Sequence, residues 1–249
     1  IEKMDKQQRL SSASTYSRST LSSCKFGKKD KKIHCTGDKR NKLMESVSKQ
    51  LGEELKDSQS ISILLEPASE KGIGMLTYSY DDNERDTESW LYLSALNKVK
   101  RLASGSSDDQ EPVAIFGSEF TTEDMENGKT DEYHYKVLQE GPYQDRQVWV
   151  IESKPTKKRL LKTRYSKAII WVDKERLLPL KIQTYDKKGK PYKKMVFRDI
   201  NKIGVFWVAK DLTIFNLQTK RMSRMVSEKI ALDVEVDSAF LTQRTLTDF

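Results

Sequence analysis

The sequence predicts a mainly β protein built as a long antiparallel meander, and three observations carry that prediction. From Tyr133 onward, turn signals such as Gly141-Pro142, Lys188-Gly189 and Asn201 to Gly204 recur about every 10 to 15 residues. Between them, apolar and polar residues alternate with the period of two that marks a half-buried strand. About a dozen such strands follow one another directly, which makes sequence neighbours into antiparallel neighbours. A meander of that length curls to protect its edges.

The elements follow in order. Ile1 to Leu10 reads as an amphipathic helix fragment with Ile1 and Met4 on one side. Tyr16 to Phe26 and Lys31 to Gly37 form a first hairpin, which holds the chain's two cysteines, Cys24 and Cys35. The midpoint between them falls between Lys29 and Asp30, so a two-residue turn there sets the cysteines opposite each other. Cross-strand Cβ atoms lie about 4.5–5.5 Å apart, close to what a disulfide needs. Closing so short a loop contributes roughly 2–3 kcal/mol. A disulfide implies an oxidising compartment; two free thiols are the alternative.

Asn41 to Leu51 is ambiguous, because Leu43, Val47 and Leu51 fall at helical spacing. Ser60 to Leu65 is a strand. Glu66 to Gly72 gives one helical turn with Pro67 at its first position, and Gly72 and Gly74 release the strand Met75 to Tyr80. Asp81 to Thr87 is a charged turn. Trp90 to Leu93 is too aromatic for a helix face, and Leu96 to Leu102, alternating apolar with basic, is its antiparallel partner. Ser104 to Pro112 is a loop dense in Ser, Gly and Asp. Thr121 with Asp124 fits a capping box, so a short helix starts there. Strands follow at Tyr133–Gln139, Gln147–Ser153, Tyr165–Val172, Leu180–Tyr185, Lys193–Ile200, Val205–Phe215 and Arg221–Val236, and Ser238 to Leu246 closes the chain as a short helix.

Three segments carry a resemblance. Trp90–Leu93, the basic return strand Lys98–Arg101 and Ile115–Phe120 stand in the order of motifs found in the outer-membrane lipoprotein-sorting family. The chain thus resembles the LolA-like lipid carriers, in the branch that accompanies large export transporters. Two departures are visible: Ser94 stands where that family has proline, and Ile115-Phe116 precedes Gly117-Ser118. The resemblance implies a single domain over residues 1–249, an unclosed barrel of antiparallel strands, and short helices that act as a lid over an apolar cavity. It argues for a serine-rich strand over Asn41 to Leu51. It implies lipid or lipoprotein acyl chains as cargo, transient membrane contact, an RND-type membrane exporter as partner, and a periplasmic location.

Alternation assigns an inner face. Leu180 and Ile182 oppose Lys181 and Gln183, Met195 and Phe197 oppose Lys194 and Arg198, and Ile230, Leu232, Val234 and Val236 oppose Ala231, Asp233 and Glu235. Alternation alone fits a filled core as well as a lined cavity. With the resemblance, the expected lining is Leu65, Met75, Trp90, Tyr92, Trp149 and Trp171, together with Ile182, Met195, Phe197, Ile230 and Leu232. Phe116 and Phe120 flank Gly117-Ser118 at the start of the expected lid. The basic strand Lys98, Lys100 and Arg101 is a solvated face or a hold for an anionic head group.

Composition bounds the rest. The chain is 36% hydrophobic and 33% charged, with a formal charge of +8 from 45 Lys and Arg against 37 Asp and Glu. That balance permits attraction to anionic lipid, nucleic acid or an acidic partner. Apolar runs fall short of the roughly 18 to 20 residues that span a bilayer. The chain begins at Ile1 without methionine, and removal of a targeting peptide is the expectation. Catalysis finds little support: His34 and His134 sit in no motif, and HExxH, CxxC, GxSxG and Walker patterns are absent. No metal or cofactor site is expected, and Glu119, Glu123 and Asp124 suit a helix start without any chemistry. An interaction module docking through Lys25 to Lys32 is the alternative to a carrier. Nucleic-acid binding is disfavoured, because Tyr133, Tyr135 and Lys136 do not interleave on one strand face.

Overall fold

The computed structural model of the chain describes residues 1–10, 12–30, 32–82, 84–102, 113–126 and 129–248. Its strands are β1 (Ser14–Lys29), β2 (Lys32–Leu51), β3 (Asp57–Glu66), β4 (Gly74–Ser79), β5 (Glu88–Leu93), β6 (Lys98–Leu102) and β7 (Tyr133–Tyr143). They continue as β8 (Arg146–Pro155), β9 (Tyr165–Asp173), β10 (Pro179–Asp186), β11 (Pro191–Ile203), β12 (Phe206–Asn216) and β13 (Arg221–Leu232). The short α-helices are α1 (Glu2–Leu10), α2 (Thr122–Met125), α3 (Lys157–Lys162) and α4 (Gln243–Thr247). All thirteen strands form one sheet in the order β6-β5-β4-β3-β2-β1-β13-β12-β11-β10-β9-β8-β7. β6 and β7 are the two ends of that order. The expected mainly β, unclosed antiparallel sheet with short helices is what the chain forms.

Cys24 and Cys35 are joined by a disulfide, with their Cα atoms 5.8 Å apart. Asn41 to Leu51 is strand, the second half of β2. Val47 stands opposite Ile61, and Ser46 opposite Ser62, with their hydroxyls 2.7 Å apart. Those cross-strand pairs outweigh the helical spacing of Leu43, Val47 and Leu51.

Several expectations need correction. Pro67 precedes the 3-10 turn Ala68–Glu70 as its N-cap instead of occupying its first position. The last strand stops at Leu232, not Val236. Asp233 takes a left-handed conformation (φ 53) and its N–H is bonded to Ser14 O and Ser12 Oγ, at 2.7 and 2.9 Å. Leu180 does not share a face with Ile182. The register shifts between Pro179 and Lys181, and this bulge lets Leu180 pack with Val148, Val150 and Ile169. Helix α3 was not expected; Thr156 caps it by accepting from Arg159 N–H at 3.3 Å. The loop expected over 104–112 lies outside the described residues.

The chain forms two compact units. One comprises Ile1–Gln8, Ser22–Arg40 and Ser106–Met225; the other comprises Arg9–Leu21, Asn41–Gly105 and Val226–Phe249. In the second unit, one sheet face is built from two cross-strand rows. Ile61, Leu76 and Trp90 stand opposite one another, as do Ile63, Gly74 and Tyr92. Leu241 and Leu246 of the C-terminal segment join these residues in one buried cluster. A Cβ at Gly74 would lie 2.7 Å from Leu246 Cδ2, so a larger residue there would have to displace the leucine. The Tyr78 hydroxyl donates to Leu241 O at 2.6 Å and fixes the cover's entry.

Candidate functional site

In the first unit an apolar row crosses five strands. Ile151 on β8 stands opposite Ile170 on β9, which stands opposite Ile182 on β10. Ile182 faces Met195 on β11, and Met195 faces Ile214 on β12. Residues directly opposite share a sheet face. At about 4.8 Å per strand the row is about 19 Å long. Ile151, Met195 and Ile214 are buried, whereas Ile170 and Ile182 in the middle are half-buried. Phe197, two residues beyond Met195, widens the row opposite Leu212, and Trp149 does so opposite Val172.

A polar clasp fastens the segment around α2 to that same face. Lys193 precedes Met195 by two residues and so shares its side of β11. Its ammonium donates to Asp124 Oδ2 at 2.5 Å and to Glu119 O at 3.0 Å. Only 4% of the lysine side chain and 3% of the aspartate side chain remain exposed. Asp124 also closes the expected capping box: Thr121 N–H donates to Asp124 at 2.9 Å, and Asp124 N–H donates to Thr121 Oγ1 at 3.3 Å. The Tyr165 hydroxyl donates to the other Asp124 oxygen. A buried pair with this many partners has its lone pairs used, which a stable buried ion pair needs.

The neighbouring carboxylates extend the clasp. Glu119 accepts from Arg221 Nε at 2.8 Å and Asn216 Nδ2 at 3.0 Å, while its N–H donates to Ser223 Oγ at 2.9 Å. Arg159 of α3 stands 3.4 Å from Glu126 and 3.5 Å from Glu132, and donates to the Tyr133 hydroxyl at 2.9 Å. Glu123 accepts from Thr163 Oγ1. Burial pushes the Glu123 pKa up, against the pull of Thr163 and Arg159 in the other direction. The chain reverses just before, where Phe116 (φ 48) and Gly117 (φ 70) are both left-handed; the glycine carries this freely, the phenylalanine at a cost.

The expected lining residues divide. Trp149, Ile182, Met195 and Phe197 share the face of the apolar row. Phe116 and Phe120 are buried, Phe120 to 1% exposure. Trp171 points the other way, opposite Val150 and Lys181. Trp90 and Tyr92 pack in the cluster closed by Leu241 and Leu246. Met75, opposite Ser62 and Leu91, is buried on the alternate face from that cluster. Leu65 is half-buried at a register shift between β2 and β3, and Ile230 and Leu232 are half-buried near the end of β13. Lys193 and the partners Ile151, Ile170 and Ile214 were not expected. The capping box at Thr121 pointed to Asp124, but its cation is distant in sequence. Among the described residues no group of His, Cys, Asp and Glu is placed to hold a metal ion, and no helix is long and apolar enough to cross a membrane.

Solved structures share this open antiparallel sheet. A crystal structure of a DUF1329 family protein from Desulfovibrio piger is similar to the chain at 26% identity and a TM-score of 0.84, over 98% of this chain and 95% of that one. A domain described as that of an outer membrane lipoprotein-sorting protein, from Vibrio parahaemolyticus, matches at 23% identity and 0.80, covering 98% and 97%. A LolA superfamily protein from Nitrosomonas europaea matches at 17% and 0.69, covering 98% and 96%. The last two likenesses show the fold. No curated protein matches the chain. A family model described as that of an uncharacterized protein matches residues 56–248, and the chain belongs to that family; the chain's own fold is like that of the LolA superfamily protein.

Proposed function

We propose that the protein is a carrier that holds a lipid, or the acyl chains of a lipoprotein, along the apolar row of β8 to β12. The observation that carries this reading is the row itself: its two central members keep exposure, and its cover is fastened by polar groups. Each methylene withdrawn from water is worth about 0.8 kcal/mol, so a chain of about 16 carbons resists leaving a membrane by about 12 kcal/mol. A carrier must offer a dry strip of comparable value, and it needs no reactive group. The name of the Vibrio neighbour supports a role in lipoprotein sorting. In this reading residues 1–249 act as one lipid-binding domain, the cell envelope outside the inner membrane is the place of action, and the disulfide suits its oxidising chemistry. An RND-type exporter as partner rests on the family resemblance alone.

Native mass spectrometry of protein purified without detergent tests the reading. Co-purified lipid is expected in the wild type and lost in Ile182→Arg, with the melting temperature held within a few degrees because Ile182 is half-buried. Global unfolding of Ile182→Arg together with a lipid-free wild type would mark the row as filled core and end the carrier reading.

A further inference from the structure

The other face of β10 and β11 carries a group of cations. Lys181 stands directly opposite Val196, and Lys194 and Arg198 lie two residues to either side of Val196 on β11. Alternation puts all of them on one face, away from Ile182 and Met195. Lys181 is diagonal to both β11 cations, about 7–8 Å from each at the backbone, within reach of side chains this long. Beneath them Val196 is buried with Phe26 and Phe215. The Lys181 ammonium lies 3.6 Å from the Trp171 ring centroid, and that of Lys194 lies 4.5 Å from Phe215.

The acids of this face are already occupied. Asp211, opposite Arg198, is held through both oxygens by Arg224 at 2.9 and 2.8 Å. Asp173 is held by Arg146, and Glu152 by Lys154 and Lys167. Neither Lys181 nor Lys194 has an ion-pair partner among the described residues. Burial, joined by the positive charges of Lys181, Lys28 and Arg198, pulls the Lys194 pKa down, and burial does the same to Lys181. Half-desolvated cations that repel one another cost stability, and an anion placed among them removes that cost.

We propose that Lys181, Lys194 and Arg198 form a phosphoryl-binding site on the face of β10 and β11 opposite the apolar row. A tetrahedral oxyanion presents an oxygen to each of three cations arriving from different sides, and compact ammonium groups suit it as point charges. A planar carboxylate satisfies fewer. Inorganic phosphate and the head group of an anionic phospholipid share this chemistry. The site does not depend on the carrier reading, because it uses the other face of the sheet.

Calorimetric titration of the full chain at low ionic strength tests it, with two probes: inorganic phosphate, and dihexanoyl phosphatidylglycerol kept below its micellar concentration. The wild type is expected to bind at least one. Binding of inorganic phosphate identifies a free-anion site, and binding of the lipid alone identifies a head-group site. Lys194→Met and Lys181→Met each weaken binding about tenfold, the loss of one charge-assisted hydrogen bond, while the exposed control Lys188→Met leaves it unchanged. Melting in phosphate-free buffer supplies the second readout. Both variants melt at or above the wild-type temperature, since an uncompensated charge has gone, and lose the stabilisation that the ligand confers. The site is refuted by failure of both probes, by variants that bind as wild type, by variants that melt lower without phosphate, or by hexaglutamate binding more tightly than either probe.

Discussion

The two units cover their sheet faces in opposite ways. In the second, Leu241 and Leu246 drop onto Ile61, Leu76, Trp90 and Tyr92 and make a cover of hydrocarbon against hydrocarbon. In the first, the segment around α2 is held to the face of the apolar row by Lys193–Asp124, Arg221–Glu119 and Arg159–Glu126. An apolar cover is strong because water is excluded from it, and it has no intermediate state short of exposing its leucines. A polar clasp can trade its hydrogen bonds for water or for a partner's groups at much smaller net cost. The apolar cover is suited to staying shut, the polar clasp to opening.

Four changes probe that contrast. The largest effect is expected for Leu246→Ala, about 3 kcal/mol and a fall in melting temperature of about 6–12 °C, unaltered by added lipid. A melting temperature rescued by lipid would instead make the second unit a binding surface. Next, Lys193→Met should cost about 3 kcal/mol by stranding Asp124, while the double change with Asp124→Asn costs less than the sum of the singles by about 2 kcal/mol. Denaturant melts of the four proteins measure this, and strict additivity would show that the clasp is not a unit. Reduction of Cys24–Cys35 should cost about 2–3 kcal/mol, read by hydrogen exchange as lost protection in residues 22–40 with β3 to β5 unaffected.

The smallest effect concerns pH. Burial raises the Glu123 pKa in the folded protein, so the stability linked to its protonated form is complete below the unfolded value of about 4.3 and disappears as pH rises through the folded value. Glu123→Gln mimics the protonated form. It should therefore raise the melting temperature by about 2 °C at pH 8, of order 0.5–1 kcal/mol, and give no difference at pH 4. A variant that melts lower at pH 8 would show that the carboxylate's charge is needed in the clasp.

Most of the fold was legible because its signals are local. Alternation located the strands from Tyr133 onward, the turn residues their ends, and the cysteine spacing the hairpin. The capping box at Thr121 was readable for the same reason. What escaped depends on register. Leu180 and Ile182 look like partners until a bulge after Pro179 separates them. Trp171 looked like Trp149, yet opposite neighbours put the two on different faces. Lys193 reads as one more lysine in a basic strand, and only the folded chain brings it to Asp124, 69 residues away.

Among the described strands, every neighbour in the sheet is also a neighbour in sequence except β1 and β13. That seam joins β1 to β13. The hairpins on either side need only short loops to close, whereas the seam spans all the strands between β1 and β13 and bears the entropy of the longest closure. During synthesis β1 therefore has one bare edge until β13 has left the ribosome, so the sheet is joined across this seam only late.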